Sequence, residues 1–446
     1  MKGWAEMPAT YRDATYTEAL QYLETLTNLG IKPGLSRMEA LVSAIGDPHR
    51  CAPVIHITGT NGKTSTARMV SSILQAAGLR TGTYTSPHLQ VVNERIEIDL
   101  EPLDKQRFAS AFADAYVAAA ELERLSGEKP SYFEMVTLMA FAAFADAPVS
   151  VQVVEVGMGG KWDATNVADA DVAVVTNVSV DHVEYLGSTP PLIAAEKAGI
   201  IKEGSLLIVG ETQPDIVEIF ESVATDSGAD QVIKNGDDFR LLERKPAVGG
   251  QLISVKGIYD TYEDLFLPLF GSFQAHNAAV AIAACEALCE SSIDRAIVEA
   301  ALSQTTSPGR MEVVSRHPLV VLDGAHNPAG MAACIDAVRE SFAYDRLHVV
   351  FGVFADKDYL PMLAALGGVG ASVFTTQTAL ARSAPAENLA SAARKVGIDS
   401  VSANPDVVAA LDAAKRAASD DDLVLVTGSL YLIGEARTYL VGVPEI

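Results

Sequence analysis

Val54-Ile55-His56-Ile57-Thr58-Gly59-Thr60-Asn61-Gly62-Lys63-Thr64-Ser65-Thr66 passes from an apolar run into a glycine-containing loop, then a lysine beside hydroxyls, then a helical pattern. That order suits a phosphate. Glycines let backbone N–H groups approach anionic oxygens, and the helix N-terminus that follows adds a favourable dipole. Lys63 can reach terminal phosphates, and Thr64 or Ser65 can meet Mg²⁺. Ile57 stands where the general pattern has its first glycine, so the loop begins at Gly59. Ala67, Met69, Val70, Ile73, Leu74 and Ala77 recur at helical spacing, and Gly78 stops that helix. The stretch reads as strand, phosphate loop and helix, and the expected ligand is a nucleoside triphosphate.

Outward from it, residues 149–156, 172–177 and 206–209 are apolar, β-branched runs separated by helical patterns. Such alternation implies a parallel sheet covered on both faces. Residues 14–46 read as helical, 79–86 as a short strand, and 103–125 and 130–145 as helices. Between Phe239 and Leu269 short alternating runs with Gly249-Gly250 and Gly257 suggest antiparallel hairpins, followed by helical stretches at 277–289 and 293–302. Ser303-Gln304-Thr305-Thr306-Ser307-Pro308-Gly309 has no apolar residue and reads as a linker. Strand–helix alternation then resumes, with buried-strand candidates at 319–322, 347–351, 372–376 and 423–427. The expected fold is α/β. A doubly wound P-loop domain over residues 1–306, mainly parallel with a small antiparallel section, precedes a second, Rossmann-like α/β domain over 307–446.

Composition agrees with two domains. The chain has 446 residues, 49% hydrophobic and 20% charged, which describes globular rather than disordered protein. Lys and Arg number 33 against 57 Asp and Glu, a formal charge of −24. That excludes nonspecific binding to nucleic acid or anionic membranes, so local cations, helix ends or metal must hold any anionic ligand. The four cysteines form no zinc-type pairs, and Cys285 and Cys289 share one face of a helical segment. Met1-Lys2-Gly3-Trp4-Ala5-Glu6 lacks a signal-peptide core, and the longest apolar run, 135–144, is about half a membrane span. A soluble, reduced, cytoplasmic protein is expected.

Polar clusters stand at the predicted strand ends, where open α/β sheets place ligands. Glu155 ends one strand and opens a glycine-rich loop; it can hold Mg²⁺, or be satisfied by a neighbouring lysine or helix end. Asp181-His182 follows the next strand. Lys197 lies in an apolar setting; it is either a surface lysine or, if buried, an amine of depressed pKa that attacks a small electrophile. Arg310, after the linker, can clamp a phosphate. Asp323 can accept from ribose hydroxyls or cap the following helix.

These clusters stand in one order with Tyr84-Thr85-Ser86-Pro87-His88, Asn93-Glu94-Arg95-Ile96, Ser131-Tyr132-Phe133-Glu134, Asp163-Ala164-Thr165-Asn166, Glu196-Lys197-Ala198-Gly199-Ile200, Asp323-Gly324-Ala325-His326-Asn327-Pro328 and Thr427-Gly428-Ser429. From about residue 15 onward the chain resembles folylpolyglutamate synthase, including its bifunctional form that is also a dihydrofolate synthase, in the Mur ligase superfamily. The resemblance implies that Gly59, Thr60, Asn61, Gly62, Lys63, Thr64 and Ser65 bind the ATP phosphates. It implies further ATP contacts from Asn277, Arg310, Asp323 and His326. Ser86, Glu155 and His182 match the family's Mg²⁺ ligands, and Lys197 its carbamylated lysine, which serves a second Mg²⁺. Leu35, Ser36 and Arg37, Ser131 to Glu134 (with Tyr132 and Phe133), and Trp162, Asp163 and Ala164 match the pterin pocket. Thr64 departs from the glycine common at its place, so the Mg²⁺ hydroxyl comes from Thr64 or Ser86. His88 stands where an aromatic is more usual.

The implied reaction is an ATP-dependent, ADP-forming ligation in a monomer. ATP activates the benzoate carboxylate of dihydropteroate, or the γ-carboxylate of a reduced folate, as an acyl phosphate, and the amine of L-glutamate displaces phosphate. Lys63, Lys197 and His182 are the expected catalytic residues. A muramyl-type amino-acid ligase is the alternative enzyme, and a P-loop switch protein the alternative outside ligases. A switch does not need Glu155, His182 and Lys197 together with a second domain carrying Asp323.

Overall fold

The computed structural model describes residues 14–30 and 32–444. The N-terminal hexapeptide, residues 1–6, lies outside the described residues.

β1 (Val54–Thr58) is buried along its whole length and pairs in parallel with β5 (Val151–Glu155) on one side and β6 (Val172–Val175) on the other. The rest of this eight-stranded sheet is β2 (Thr81–Tyr84), β3 (Ile96–Ile98), β4 (Glu101–Pro102), β7 (Leu206–Val209) and β8 (Gln231–Lys234), in the order β4-β3-β2-β5-β1-β6-β7-β8. Only β3 and β4 run antiparallel to their neighbours. Continuous Val/Ile runs are what a strand buried on both faces requires. One face packs on the helices Lys63–Ala76 and Ser272–Cys289, through Val70, Ile73, Ala278 and Ile282. The helices Tyr16–Leu26, Ser36–Ala44, Lys105–Ser126 and Tyr132–Asp146 share a second apolar cluster with β2, β3 and β5.

A three-stranded antiparallel sheet follows, β9 (Arg240–Ala247), β10 (Gly250–Lys256) and β11 (Thr261–Leu267), as the alternation and the Gly249-Gly250 turn led one to expect. The second domain holds a six-stranded sheet of β12 (Glu312–Arg316), β13 (Leu319–Asp323), β14 (Leu347–Phe351), β15 (Ser372–Thr375), β16 (Val401–Ala403) and β17 (Leu423–Thr427). Its order is β12-β13-β17-β14-β15-β16, with β12 alone antiparallel. Apolar clusters cover both faces.

Three local readings change. Residues 14–46 are two helices, because Gly30 and Gly34 adopt positive φ between them. The helix expected from Asn277 starts at Ser272, after Gly271. The apolar-free linker is not a solvated tether. Thr305 and Ser307 are buried, and the Ser307 hydroxyl lies 3.0 Å from that of Ser65 on the helix after the phosphate loop. The hinge between the domains is thus packed on the phosphate-loop helix.

Candidate active site

The strand order decides which loops meet. The carboxyl ends of β5, β1 and β6 are adjacent, so the loops carrying Glu155, Gly59–Gly62 and Asn177–His182 stand side by side. In the second sheet β13, β17 and β14 are adjacent, which brings together Asp323, Ser429 and the turn after Phe351. The two sets of strand ends face one cleft of about 590 Å³.

The phosphate loop is pinned from β6. The Thr60 N–H donates to the Asn177 carbonyl (2.9 Å) and the Asn61 N–H to the Asn177 side-chain oxygen (3.0 Å), while Thr176 Oγ1 donates to the Asn61 carbonyl (2.7 Å). The helix after it begins at Lys63, with Gly62 left-handed at its N-cap and no side chain capping it. Thr66 N–H is bonded back to the Gly62 carbonyl, so the N–H groups before it have no intrahelical acceptor. An uncapped, glycine-lined helix end is what an anion needs. Gly59 has φ +151°, and a Cβ there would lie 1.8 Å from Thr176 Oγ1. Gly59→Ala is accordingly expected to weaken ATP binding more than tenfold by calorimetry; an unchanged Kd would refute this use of the loop.

Lys63 Nζ donates to the Gly59 (3.0 Å) and Thr60 (3.3 Å) carbonyls. Burial pushes its pKa down, opposed by the charges of Glu155 and Asp181. Glu155 is buried; its carboxylate accepts from the Thr64 hydroxyl at 3.0 Å on both oxygens and from the Ser86 N–H at 3.1 Å. Burial pushes the Glu155 carboxyl up, against the pull of Lys63 and those two bonds. Of the two hydroxyls in question, Thr64 touches the carboxylate directly, whereas Ser86 reaches it through its backbone. Lys197 ends the helix Pro190–Lys197 and is buried, not a surface lysine. Burial, and then the charge of Lys63, push its amine down to about 7. His182 also lines the cleft, and burial pushes its imidazole down to about 4, leaving it neutral at pH 7.

Across the cleft the Arg310 guanidinium has only the carbonyl of its neighbour Gly309, at 3.3 Å, as a hydrogen-bond partner among the described residues, while the Arg310 backbone N–H donates to the Ser307 carbonyl at 3.1 Å. Asp323 neither caps the next helix nor points free. Its two oxygens accept from the Met311 and Ala325 N–H groups, both at 3.0 Å, and Asn327 caps the helix instead. Asn277 lies against Gly62, where a Cβ would sit 2.5 Å from its side-chain oxygen. His326 donates from Nδ1 to the Gly324 carbonyl at 2.8 Å, with Nε2 3.5 Å from Asp181.

Asp181 is the junction the sequence reading undervalued. Lys357 donates to it at 2.5 Å and Asn327 at 3.1 Å, both from the second domain. Burial alone would raise the Asp181 carboxyl, but the His326 hydrogen bond and the charge of Lys357 hold it well below the usual carboxylate range. Lys357 was legible in principle, since Phe354-Ala355-Asp356-Lys357-Asp358 follows a buried strand at its carboxyl end.

The residues expected around a pterin lie outside the cleft lining and group elsewhere. Arg37 pairs with Glu134 at 3.1 Å, and Glu134 also accepts from the Ser131 N–H as half of a capping box. Ser36 is exposed and Leu35 half-buried, at the start of the helix that carries Arg37. Tyr132 lies under the Arg95 guanidinium, and Phe133 packs against Gly157 of the glycine-rich loop. Asp163 ties that loop together, accepting from Met158 N–H (2.9 Å) and Thr165 N–H (3.0 Å), with Trp162 half-buried and Ala164 buried beside it. His88 accepts from Arg95 Nε at 2.9 Å, and burial and Arg95 push its imidazole down to about 3, so it stays neutral.

Among the described residues no three His, Cys, Asp or Glu side chains converge as a metal cage, and no helix is long and apolar enough to cross a membrane. Hydrated Mg²⁺ needs only one or two carboxylates beside substrate phosphates, which Glu155 satisfies.

Residues 57–285 match the Mur ligase middle domain, and residues 309–430 the Mur ligase glutamate ligase domain. The chain is 42% identical over 441 residues to the dihydrofolate synthase/folylpolyglutamate synthase of Mycobacterium tuberculosis, covering 92% of this chain and 90% of that protein. The M. tuberculosis folylpolyglutamate synthase structure with ADP superposes with a TM-score of 0.92 at 40% identity, covering 96% of this chain and all of that one. The bifunctional enzyme from Yersinia pestis, solved with AMPPNP and a Mn ion, gives 0.84 at 30% identity over 98% of this chain and all of its own. The chain belongs to the Mur ligase family, within its folylpolyglutamate synthase/dihydrofolate synthase branch.

Proposed function

We propose that this protein uses ATP to join L-glutamate to dihydropteroate, to the γ-carboxylate of reduced folates, or to both, releasing ADP and phosphate. The observation that carries the reading is the convergence of an uncapped glycine-lined helix end, Lys63, Glu155, Lys197 and Arg310 on one interdomain cleft. A phosphate loop alone would serve any nucleotide hydrolase. A buried lysine near neutrality and a second domain bringing Arg310 and Asp323 to the same cleft belong to a two-substrate ligation. Relatives named as folate ligases over nine-tenths of the chain favour a folate over a muramyl acceptor.

In this reading the helix end, Lys63 and Arg310 bind and orient the triphosphate and neutralise the charge of the transferring phosphoryl group. The acceptor carboxylate oxygen attacks the γ-phosphorus, the bond to ADP breaks, and an acyl phosphate results. The glutamate amine attacks the acyl carbon, loses a proton, and phosphate leaves. Asn277, Asp323 and His326 hold the rest of the nucleotide. Glu155, neutral His182 and the hydroxyls of Thr64 and Ser86 are the residues that would hold Mg²⁺, which when bound supplies charge neutralisation at the phosphates. Lys197 would carry the carbamate, its neutral amine adding to CO2 with loss of a proton. Leu35 to Arg37, Ser131 to Glu134 and Trp162 to Ala164 form the acceptor side, and the domains, divided at 306/307, act within one monomer.

Dihydropteroate and a reduced folate, each offered separately with ATP and glutamate and the products weighed, test the reading. One added glutamate on either acceptor is expected; ADP release unaffected by acceptor and glutamate would sink it. Asp323→Ala is expected to weaken ATP binding more than acceptor binding. It strips two buried N–H groups of their acceptor, at about 1–3 kcal/mol each, at the hinge on the nucleotide side. Equal weakening of both ligands would refute that assignment.

A further inference from the structure

The loop from Ser86 to Val91 joins the two domains at a second place. At its start the Ser86 N–H is bonded to Glu155. At its end the Glu94 carboxylate gathers the N–H groups of Leu89 (2.7 Å), Gln90 (2.9 Å) and Val91 (2.9 Å). Between these anchors Leu89 leaves its own domain and packs against the second domain's apolar cluster, which includes Val320, Leu322 and Ile433. Its carbonyl lies so close to the C-terminal helix Leu430–Val441 that a Cβ at Gly434 would stand 2.1 Å from the oxygen. Gln90 donates to Thr438 Oγ1 (2.9 Å) and the Gly442 carbonyl (2.8 Å), and accepts from Arg437, itself paired with Glu312 at 3.0 Å.

A glycine inside a helix costs stability relative to alanine, and φ at 434 is not left-handed. What the position gains is the close approach of Leu89. A backbone carbonyl held at both flanks cannot turn aside as a side-chain tip could. We infer that Gly434 is a positioning residue for the ligation: its missing side chain lets the C-terminal helix hold the Ser86–Gln90 loop in place, and with it Ser86 against Glu155. The role in ligation rests on the function proposed above; the holding of the loop does not.

Gly434→Ala in the full chain tests it by two readouts. Amide exchange of residues 86–91, measured without substrates, is expected to accelerate at least tenfold, while exchange in β13 and β17 stays as in the wild type. The kcat for glutamate addition is expected to fall tenfold or more. In a Ser86→Ala background the same substitution should cost no more than about twofold further, because the hydroxyl that the loop carries to the cleft is already gone. Gln90→Ala, which removes only side-chain bonds at the edge of the contact, should move both readouts the same way by roughly threefold, and carries the test if Gly434→Ala fails to fold. Wild-type exchange at 86–91 overturns the inference whichever reaction the cleft performs. Faster exchange with unchanged kcat, or a full multiplicative loss on top of Ser86→Ala, overturns its link to the reaction. A wild-type protein that ligates neither acceptor refutes the proposed function instead.

Discussion

Lys63→Ala is expected to lower kcat by roughly two to three orders of magnitude, the usual loss when one preorganised charge partner of a transition state is removed. The amine rests on the Gly59 and Thr60 carbonyls, at the tip of an otherwise uncapped helix end. Neither carbonyl competes strongly with a phosphate, so the resting bonds keep the side chain folded over the loop until an anion draws it away. Glu155 and Asp181 favour its charged form against the burial that opposes it. Lys63→Arg should restore little, because a planar fork cannot occupy the compact place an ammonium takes between two carbonyls. Steady-state kinetics with saturating ATP, beside calorimetric ATP binding, separate the two contributions. A kcat within tenfold of wild type would remove Lys63 from the phosphoryl-transfer step.

Lys197→Ala is the second large effect, about a hundredfold in turnover, with partial recovery on adding small carboxylates that fill the vacated space. The physical basis is the amine's depressed pKa of about 7, set first by burial and then by Lys63. Among the described residues no carboxylate forms an ion pair with it, and burial and Lys63 outweigh the charges of Asp181, Asp163 and Glu196, which favour the protonated form. Only the unprotonated amine adds to CO2. After CO2 is stripped from the protein and returned, recovery of activity should slow about tenfold for each pH unit below 7 and level off above it. Full activity in Lys197→Ala, or recovery independent of pH, would refute the carbamate.

Much of this was open to sequence reading, for identifiable reasons. A parallel strand buried on both faces is a continuous Val/Ile run, so β1, β5, β6, β7, β14 and β17 stand out. Strands at or next to a sheet edge are short or mixed, and β3, β4, β12 and β16 carry no such signal. Glu155, His182 and Asp323 are singled out because strand ends are where ligands gather, and Arg310 because it follows the linker; all four line the cleft. Asp323 illustrates the limit: position predicted the cleft, but its hydrogen bonds go to the Met311 and Ala325 backbone. Lys357 and Gly434 were missed because their partners, Asp181 and Leu89, lie 176 and 345 positions away in the chain, beyond any local pattern. The acceptor-side residues came only from family resemblance, and several of their polar groups are occupied by helix caps and loop ties.

The buried hinge has a mechanical consequence. Because Thr305 and Ser307 are packed on the helix that follows the phosphate loop, any swing of the second domain about them has its pivot beside the triphosphate end of the cleft. Displacement grows with lever arm. A given rotation therefore barely shifts Arg310, three residues from the pivot, and opens the far rim most. Such a swing, once the ties of Asp181 and Gln90 to the second domain were released, would admit acceptor and glutamate at the wide end of this lever while the narrow end kept its grip on the nucleotide.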